Sequence, residues 1–141
     1  MADFATLRRH CGDTLGLAGL FMEAAETERR MPAAMRKRYR VAWPEYAPDP
    51  TLAYGYNETE VRLGAATSAE VSRWDAALEL TKLWDAEDAR LVWAVAHSAV
   101  GRQRGPAWKK VARLMRCHPA TVKRRFERAI LEMWYKMLYG C

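Results

Sequence analysis

The chain has 141 residues, half of them hydrophobic and 28% charged, with 23 lysines and arginines against 17 carboxylates for a net charge of +6. That is enough apolar material for one domain of ordinary size with room for an appended arm, and it excludes both a disordered chain and a large multidomain enzyme. No window approaches ~18 uninterrupted apolar residues, so no membrane span is expected.

The N-terminus reads poorly as a secretion signal. Asp3 comes early, and the apolar run Leu15 to Met22 follows Asp13 without a fitting small-residue cleavage site. Cys11, Cys117 and Cys141 are odd in number and widely spaced. That pattern argues against a disulfide framework and suits a reducing compartment, so the expected location is cytoplasmic.

In chain order, Leu17, Leu20, Phe21, Ala24 and Ala25 recur at helical spacing and predict a helix from Thr14 to Met31, stopped by Pro32. The basic segment Ala33 to Val41 reads as a further short helix. From Trp43 to Ala66 the pattern fails at Pro44, Pro48, Pro50, Gly55, Asn57 and Gly64, giving a long connector. Its Tyr46, Tyr54 and Tyr56 are expected to pack on the body. Helix resumes with Ser68 as N-cap and a stripe of Val71, Trp74, Leu78 and Thr81. Asp85, with Asp88 three residues on, opens the next helix, which carries Leu91, Val92, Val95 and Ala99.

A basic, glycine-bounded loop follows, Gly101-Arg-Gln-Arg-Gly105, and Pro106 suits the first turn of a helix running to about Met115. After a break at Arg116, Cys117 and His118, Pro119 opens a last helix to about Leu138. Its inner face carries Val122, Phe126, Ala129, Ile130 and Met133. No strand-like alternation, internal repeat or low-complexity tract appears, so the fold class is all-α. The expected division is a helical arm and connector over 1–66 and a helix-turn-helix domain over 67–141.

Charge is distributed unevenly: +3 over residues 1–44, −6 over 45–99 and +9 over 100–141. A concentrated basic third points to a polyanion, because cations on phosphates release condensed counterions. In that third, two helices are separated by about three residues. Val111, Ala112 and Met115 supply one side of a small core and Val122, Phe126 and Ile130 the other. Ala112 is small where the helices must cross closely. This is helix-turn-helix spacing, in which the second helix can lie in the DNA major groove.

The period leaves Ala120, Lys123, Arg124, Glu127 and Arg128 facing outward. Pro119 and Ala120 are small enough for close approach. Lys123 and Arg124 have the length and donors for guanine edges or phosphates. Thr121 and the helix N-terminus suit a backbone phosphate. Arg102, Arg104, Lys109, Lys110, Arg113 and Arg116 are placed to grip flanking backbone without sequence preference.

From Val111 to Ile130 the sequence resembles region four of sigma-70-type factors and the related LuxR-type helix-turn-helix. Val111-Ala112, Thr121-Val122-Lys123 and Arg128-Ala129-Ile130 carry the likeness. The resemblance implies base contacts at Lys123 and Arg124 and a backbone contact at Thr121. Two positions depart: Arg116 stands where the turn glycine is usual and His118 where a capping serine is usual. Because a left-handed arginine is costly, a differently shaped turn is expected. A wider resemblance over Leu17 to Met137 is to a family of alphaproteobacterial and phage or prophage proteins of unknown function. It rests on Glu23-Ala-Ala25, Arg30-Met-Pro32, Ala42-Trp-Pro-Glu45, Tyr54-Gly-Tyr56 and Trp84 through Trp93.

Other constellations carry less. His10-Cys11 and Cys117-His118 have the wrong spacing within each pair for zinc, so no metal and no cofactor is expected. His97 reads as a core or boundary histidine. Glu23, Glu26, Asp75 and Glu79 read as a solvated helix face. The six tryptophans are expected to hold the core, with Trp43 the one suited to a partner contact. No reactive group has a visible activating neighbour, so an enzyme is not expected. The stretch Met133 to Tyr139 is apolar nearly all round and needs cover from helix 14–31 or from another subunit. The expected partners are double-stranded DNA, RNA polymerase through the acidic 45–99 segment, and a second copy in a homodimer. The expected function is transcriptional regulation. Its rivals are a small DNA-packaging subunit and a protein-interaction module with a basic face.

Overall fold

The structure, a computed structural model, describes residues 3–31 and 65–140. The expected helix over 33–41, almost all of the connector and Trp43 lie outside the described residues. Within them all regular structure is α-helical, as the sequence predicts. The helices are α1 (Phe4–Cys11), α2 (Thr14–Arg30), α3 (Ser68–Thr81), α4 (Ala86–Ala99), α5 (Trp108–Met115) and α6 (Pro119–Tyr139). None is long and apolar enough to cross a membrane.

The caps explain most boundaries. Asp13 accepts from the Gly16 amide at 2.8 Å to start α2, and Asp85 accepts from the Asp88 amide at 2.8 Å to start α4. Helix α3 begins one residue earlier than the sequence suggests. Its N-cap is Thr67, which accepts from the Glu70 amide, while the Glu70 carboxylate accepts from the Thr67 amide at 2.7 Å. This reciprocal pair satisfies two end donors at once. Helix α1, not expected from the sequence, is capped by Asp3 and ends at Gly12. It meets α2 closely: a Cβ on Gly16 would lie 1.7 Å from the Cys11 carbonyl oxygen, so only glycine fits there.

One apolar core runs through the described residues. Leu7 of α1 and Leu17, Leu20 and Phe21 of α2 share it with Leu80, Trp84, Leu91, Val95, Val122 and Met133. The helical part of the expected arm is therefore a wall of the same core. Phe21 sits between two indoles, 5.0 Å from Trp84 and 5.6 Å from Trp93 in an edge-to-face arrangement. Each indole finds an acceptor, Trp84 on the Ala129 carbonyl at 3.1 Å and Trp93 on the Thr81 hydroxyl at 2.9 Å. On α3 the most buried positions are Ala77 and Leu80; Val71, Trp74, Leu78 and Thr81 are half-buried. The inner face is therefore turned from the predicted stripe towards Ala77 and Leu80.

Charged groups pin the helices to one another. Arg73 grips Glu23 through two donors at 2.9 and 2.7 Å, and Arg30 meets Glu70 at 2.6 Å. Glu23 is thus a tie between α2 and α3 rather than a member of a solvated face. His97 is a boundary residue, 3.6 Å from Glu28 and 5.9 Å, ring to ring, from Trp93.

Candidate nucleic-acid interface

Helix α5 is held onto α6 by Val111 and Ala112, both buried, and by an edge-to-face contact of Trp108 with Phe126 at 5.7 Å. Pro106 lies two residues ahead of α5 and outside its first turn, because the helix opens at Trp108. The turn that follows has a defined hydrogen-bond pattern. The Cys117 amide donates to the Ala112 carbonyl at 3.0 Å and the Arg116 amide to the Arg113 carbonyl at 3.4 Å. Those two bonds, with Arg116 left-handed at φ 55°, ψ 42°, form a Schellman ending. The turn therefore keeps the left-handed shape a glycine would give it, and the expected change of shape does not occur.

His118 replaces the usual serine cap. Its Nδ1 accepts from the Ala120 amide at 3.1 Å, and its carbonyl accepts from the Thr121 and Val122 amides at 3.0 and 3.1 Å. Pro119 has no amide hydrogen and sits half-buried in the first helical position. The first-turn donors of α6 are thus engaged. A phosphate at this end would be held by the exposed Thr121 side chain and its cationic neighbours, and less by free amides than the sequence implies.

Val122, Phe126, Ala129, Ile130 and Met133 are all buried, and Met137 continues the stripe. The opposite face is open: Ala120, Thr121, Lys123, Arg124, Glu127 and Arg128 are exposed. So are Arg102, Arg104, Lys109, Lys110, Arg113 and Arg116. Within this set two cations are engaged. Arg102 turns back on its own loop, its Nε donating to the Gly105 carbonyl at 3.2 Å, and Arg128 lies 3.7 Å from Glu132 one turn on. Among the described residues, Arg104, Lys109, Lys110, Arg113, Arg116, Lys123 and Arg124 have no carboxylate partner. The loop bearing Arg102 and Arg104 is bounded by Gly101 and Gly105, both at positive φ.

Arg125 plays a different part, pairing with Glu87 of α4 at 3.3 Å. The acidic start of α4 thereby fixes the flank of α6. Burial, with Asp85 and Glu132 nearby, pushes the Asp88 carboxyl above its usual range, opposed by Arg125 and Arg128. At the far end Lys136 donates to the Leu83 carbonyl at 2.8 Å. These ties show in no sequence period; the packing of α6 against α4 and against the turn between α3 and α4 creates them. Among the described residues no three His, Cys, Asp or Glu side chains come together as a metal site. The Cys11 thiol is pushed up by burial and by Asp13 and Glu23, which keeps it protonated.

A family model described as Domain of unknown function (DUF6362) matches residues 29–133, about three-quarters of the chain. The chain belongs to this family. The DUF6362 region opens in the last turn of α2 and closes at Met133, so it contains α3, α4, α5, the Arg116 turn and the open basic face of α6. Helix α1, most of α2 and the last turns of α6 lie outside it. No curated protein and no solved structure matches the chain.

Proposed function

We propose that this DUF6362 protein is a DNA-binding protein, not an enzyme, that sets α6 in the major groove of duplex DNA in the manner of a helix-turn-helix. The carrying observation is the set of exposed cations on α5, the Arg116 turn and the first half of α6 that no carboxylate neutralises. Between the other helices, several cations are instead paired with carboxylates, as at Arg73–Glu23, Arg30–Glu70 and Arg125–Glu87. An unpaired, one-sided cationic face is the electrostatic footprint of a phosphate backbone. In this reading Lys123 and Arg124 reach base edges, and Arg104, Lys109, Lys110, Arg113 and Arg116 hold flanking phosphates. Transcriptional regulation of phage or prophage type, in the cytoplasm, is the role this reading favours, with RNA polymerase or a second copy as the further partner.

The test is selection of bound duplexes from random sequence, followed by titration of variants. Lys123→Ala and Arg124→Ala each weaken the selected site by about 1–3 kcal/mol and relax sequence preference. Lys109→Ala weakens all sequences alike and lowers the salt slope by about 1. Loss of preference in the Lys109 variant, with Lys123 and Arg124 variants unaffected, refutes the assignment. Light scattering separates the roles: a monomer or dimer goes with regulation, a large ring with DNA packaging.

A further inference from the structure

The basic third of the chain carries two carboxylates, Glu127 and Glu132. Glu132 lies 3.7 Å from Arg128 and offsets its charge. Glu127 is exposed and, among the described residues, makes no hydrogen bond or ion pair. Lys123 and Arg124 stand four and three residues before it, spacings at which side chains on a helix can pair, yet neither is bonded to it. Ala120, Lys123, Arg124 and Glu127 follow one another at i, i+3, i+4 and i+7, so they share one stripe of α6. From Pro119 to Glu127 the helix rises about 12 Å, the width of a major groove. Glu127 is thus the last position of the stripe that the groove takes in.

A bare carboxylate is out of place on a surface that faces phosphates, because it repels them. At the base edges on the groove floor it has donors to meet. Resting on the duplex-binding reading above, we infer that Glu127 is a specificity-determining residue that accepts a hydrogen bond from the N4 amino group of a cytosine. In the major groove cytosine offers that donor, guanine offers acceptors alone, and thymine offers an acceptor beside a methyl group. An ionised carboxylate only accepts, so it bonds the first and is repelled by the other two. Adenine has an N6 donor, but its N7 acceptor stands next to it and opposes the second carboxylate oxygen. Arg124, whose fork fits a guanine, lies about 4.5 Å before Glu127 along the helix axis, and a base step is about 3.4 Å. The ligand is then a duplex in which a cytosine lies one step from the guanine that Arg124 reads. At any other sequence the carboxylate is left facing acceptors, and that repulsion sharpens the choice.

The test selects bound duplexes from random sequence with the wild type, Glu127→Gln and Glu127→Ala, then titrates the selected site with each of the four base pairs at the cytosine position. The wild-type chain selects a cytosine beside a guanine and binds it at least about 5-fold more tightly than guanine or thymine there, the low end for one base contact. Glu127→Gln moves the preference at that one position to adenine, whose N6 and N7 suit an amide. Glu127→Ala loses the preference there and binds the mismatched sites more tightly than the wild type does. A carboxylate that merely trims the positive charge gives a different result: both variants gain affinity for every sequence alike and no base preference changes. That result, or a wild type without a cytosine preference beside the guanine, overturns the inference and leaves salt-sensitive duplex binding standing. Absence of salt-sensitive affinity for any duplex shows instead that the underlying reading has failed, and the inference falls with it.

Discussion

Replacing Arg116 by glycine should stabilise the protein and weaken its grip on DNA at the same time. Arg116 is the one non-glycine residue at positive φ among the described residues. A left-handed conformation costs an L-residue roughly 1–2 kcal/mol, whereas glycine adopts it without that strain. Glycine loses more chain entropy on folding, by roughly 0.5–1 kcal/mol, which leaves a net gain of about 0.5–1 kcal/mol. The proper reference is Arg116→Ala, which removes the same charge and keeps the strain. Thermal unfolding should place Arg116→Gly a few degrees above Arg116→Ala, at about 2–4 °C per kcal/mol for a chain of this size. In a salt titration of duplex binding both variants should lose about 0.9 from the slope, the share of one phosphate contact. A glycine variant no more stable than the alanine variant would show that the Schellman turn stores no such strain.

Three further outcomes follow from the helix ends and junctions. Gly16→Ala should destabilise the fold by about 1–3 kcal/mol or more in a denaturant titration, since its Cβ would enter the Cys11 carbonyl at the α1–α2 junction. Gly19→Ala, with nothing within 4 Å of the added carbon, should instead stabilise by about 0.5–1 kcal/mol. The Thr67 backbone amide and then Arg30 hold the Glu70 carboxyl down from its ordinary 4.5 to about 2. Its folded-state value is depressed, so the stability it adds is present above about 4.5 and disappears as the pH falls towards 2. Glu70→Gln should therefore flatten the acid limb of stability against pH in that window and leave the slope above pH 5 unchanged.

Where local chemistry decided the structure, the sequence was readable. Helix α2 starts at its predicted residue because Asp13 caps it, and all five residues expected on the inner face of α6 are buried, with Met137 extending the stripe by a turn. The errors have equally local causes. Ser68 reads as the α3 cap by residue type, yet Glu70 stands three residues after Thr67, the spacing a capping box requires. Helix α1 leaves no visible period because it buries only Leu7, although Asp3 and Gly12 mark its two ends. Pro106 suggested a helix start two residues early because proline is compatible with the preceding turn as well. For the candidate interface, exposure followed from periodicity, so the outward set on α6 was legible. What could not be read was which cations are engaged. Arg102 bonds its own loop, Arg125 and Lys136 brace α6 against neighbouring elements, and His118 consumes the first amide of the helix. Each depends on a distance between elements or on a turn geometry, and neither is encoded in spacing along the chain.

The most direct measurement is the affinity of the wild-type chain for a blunt duplex of arbitrary sequence across a series of salt concentrations. Phosphate contacts by at least four of the free cations require log K to fall against log salt with a slope of about −3.6 or steeper. An affinity that stays constant as salt is raised, or no binding at low salt, contradicts a DNA-facing role for the bare basic surface of α5 and α6.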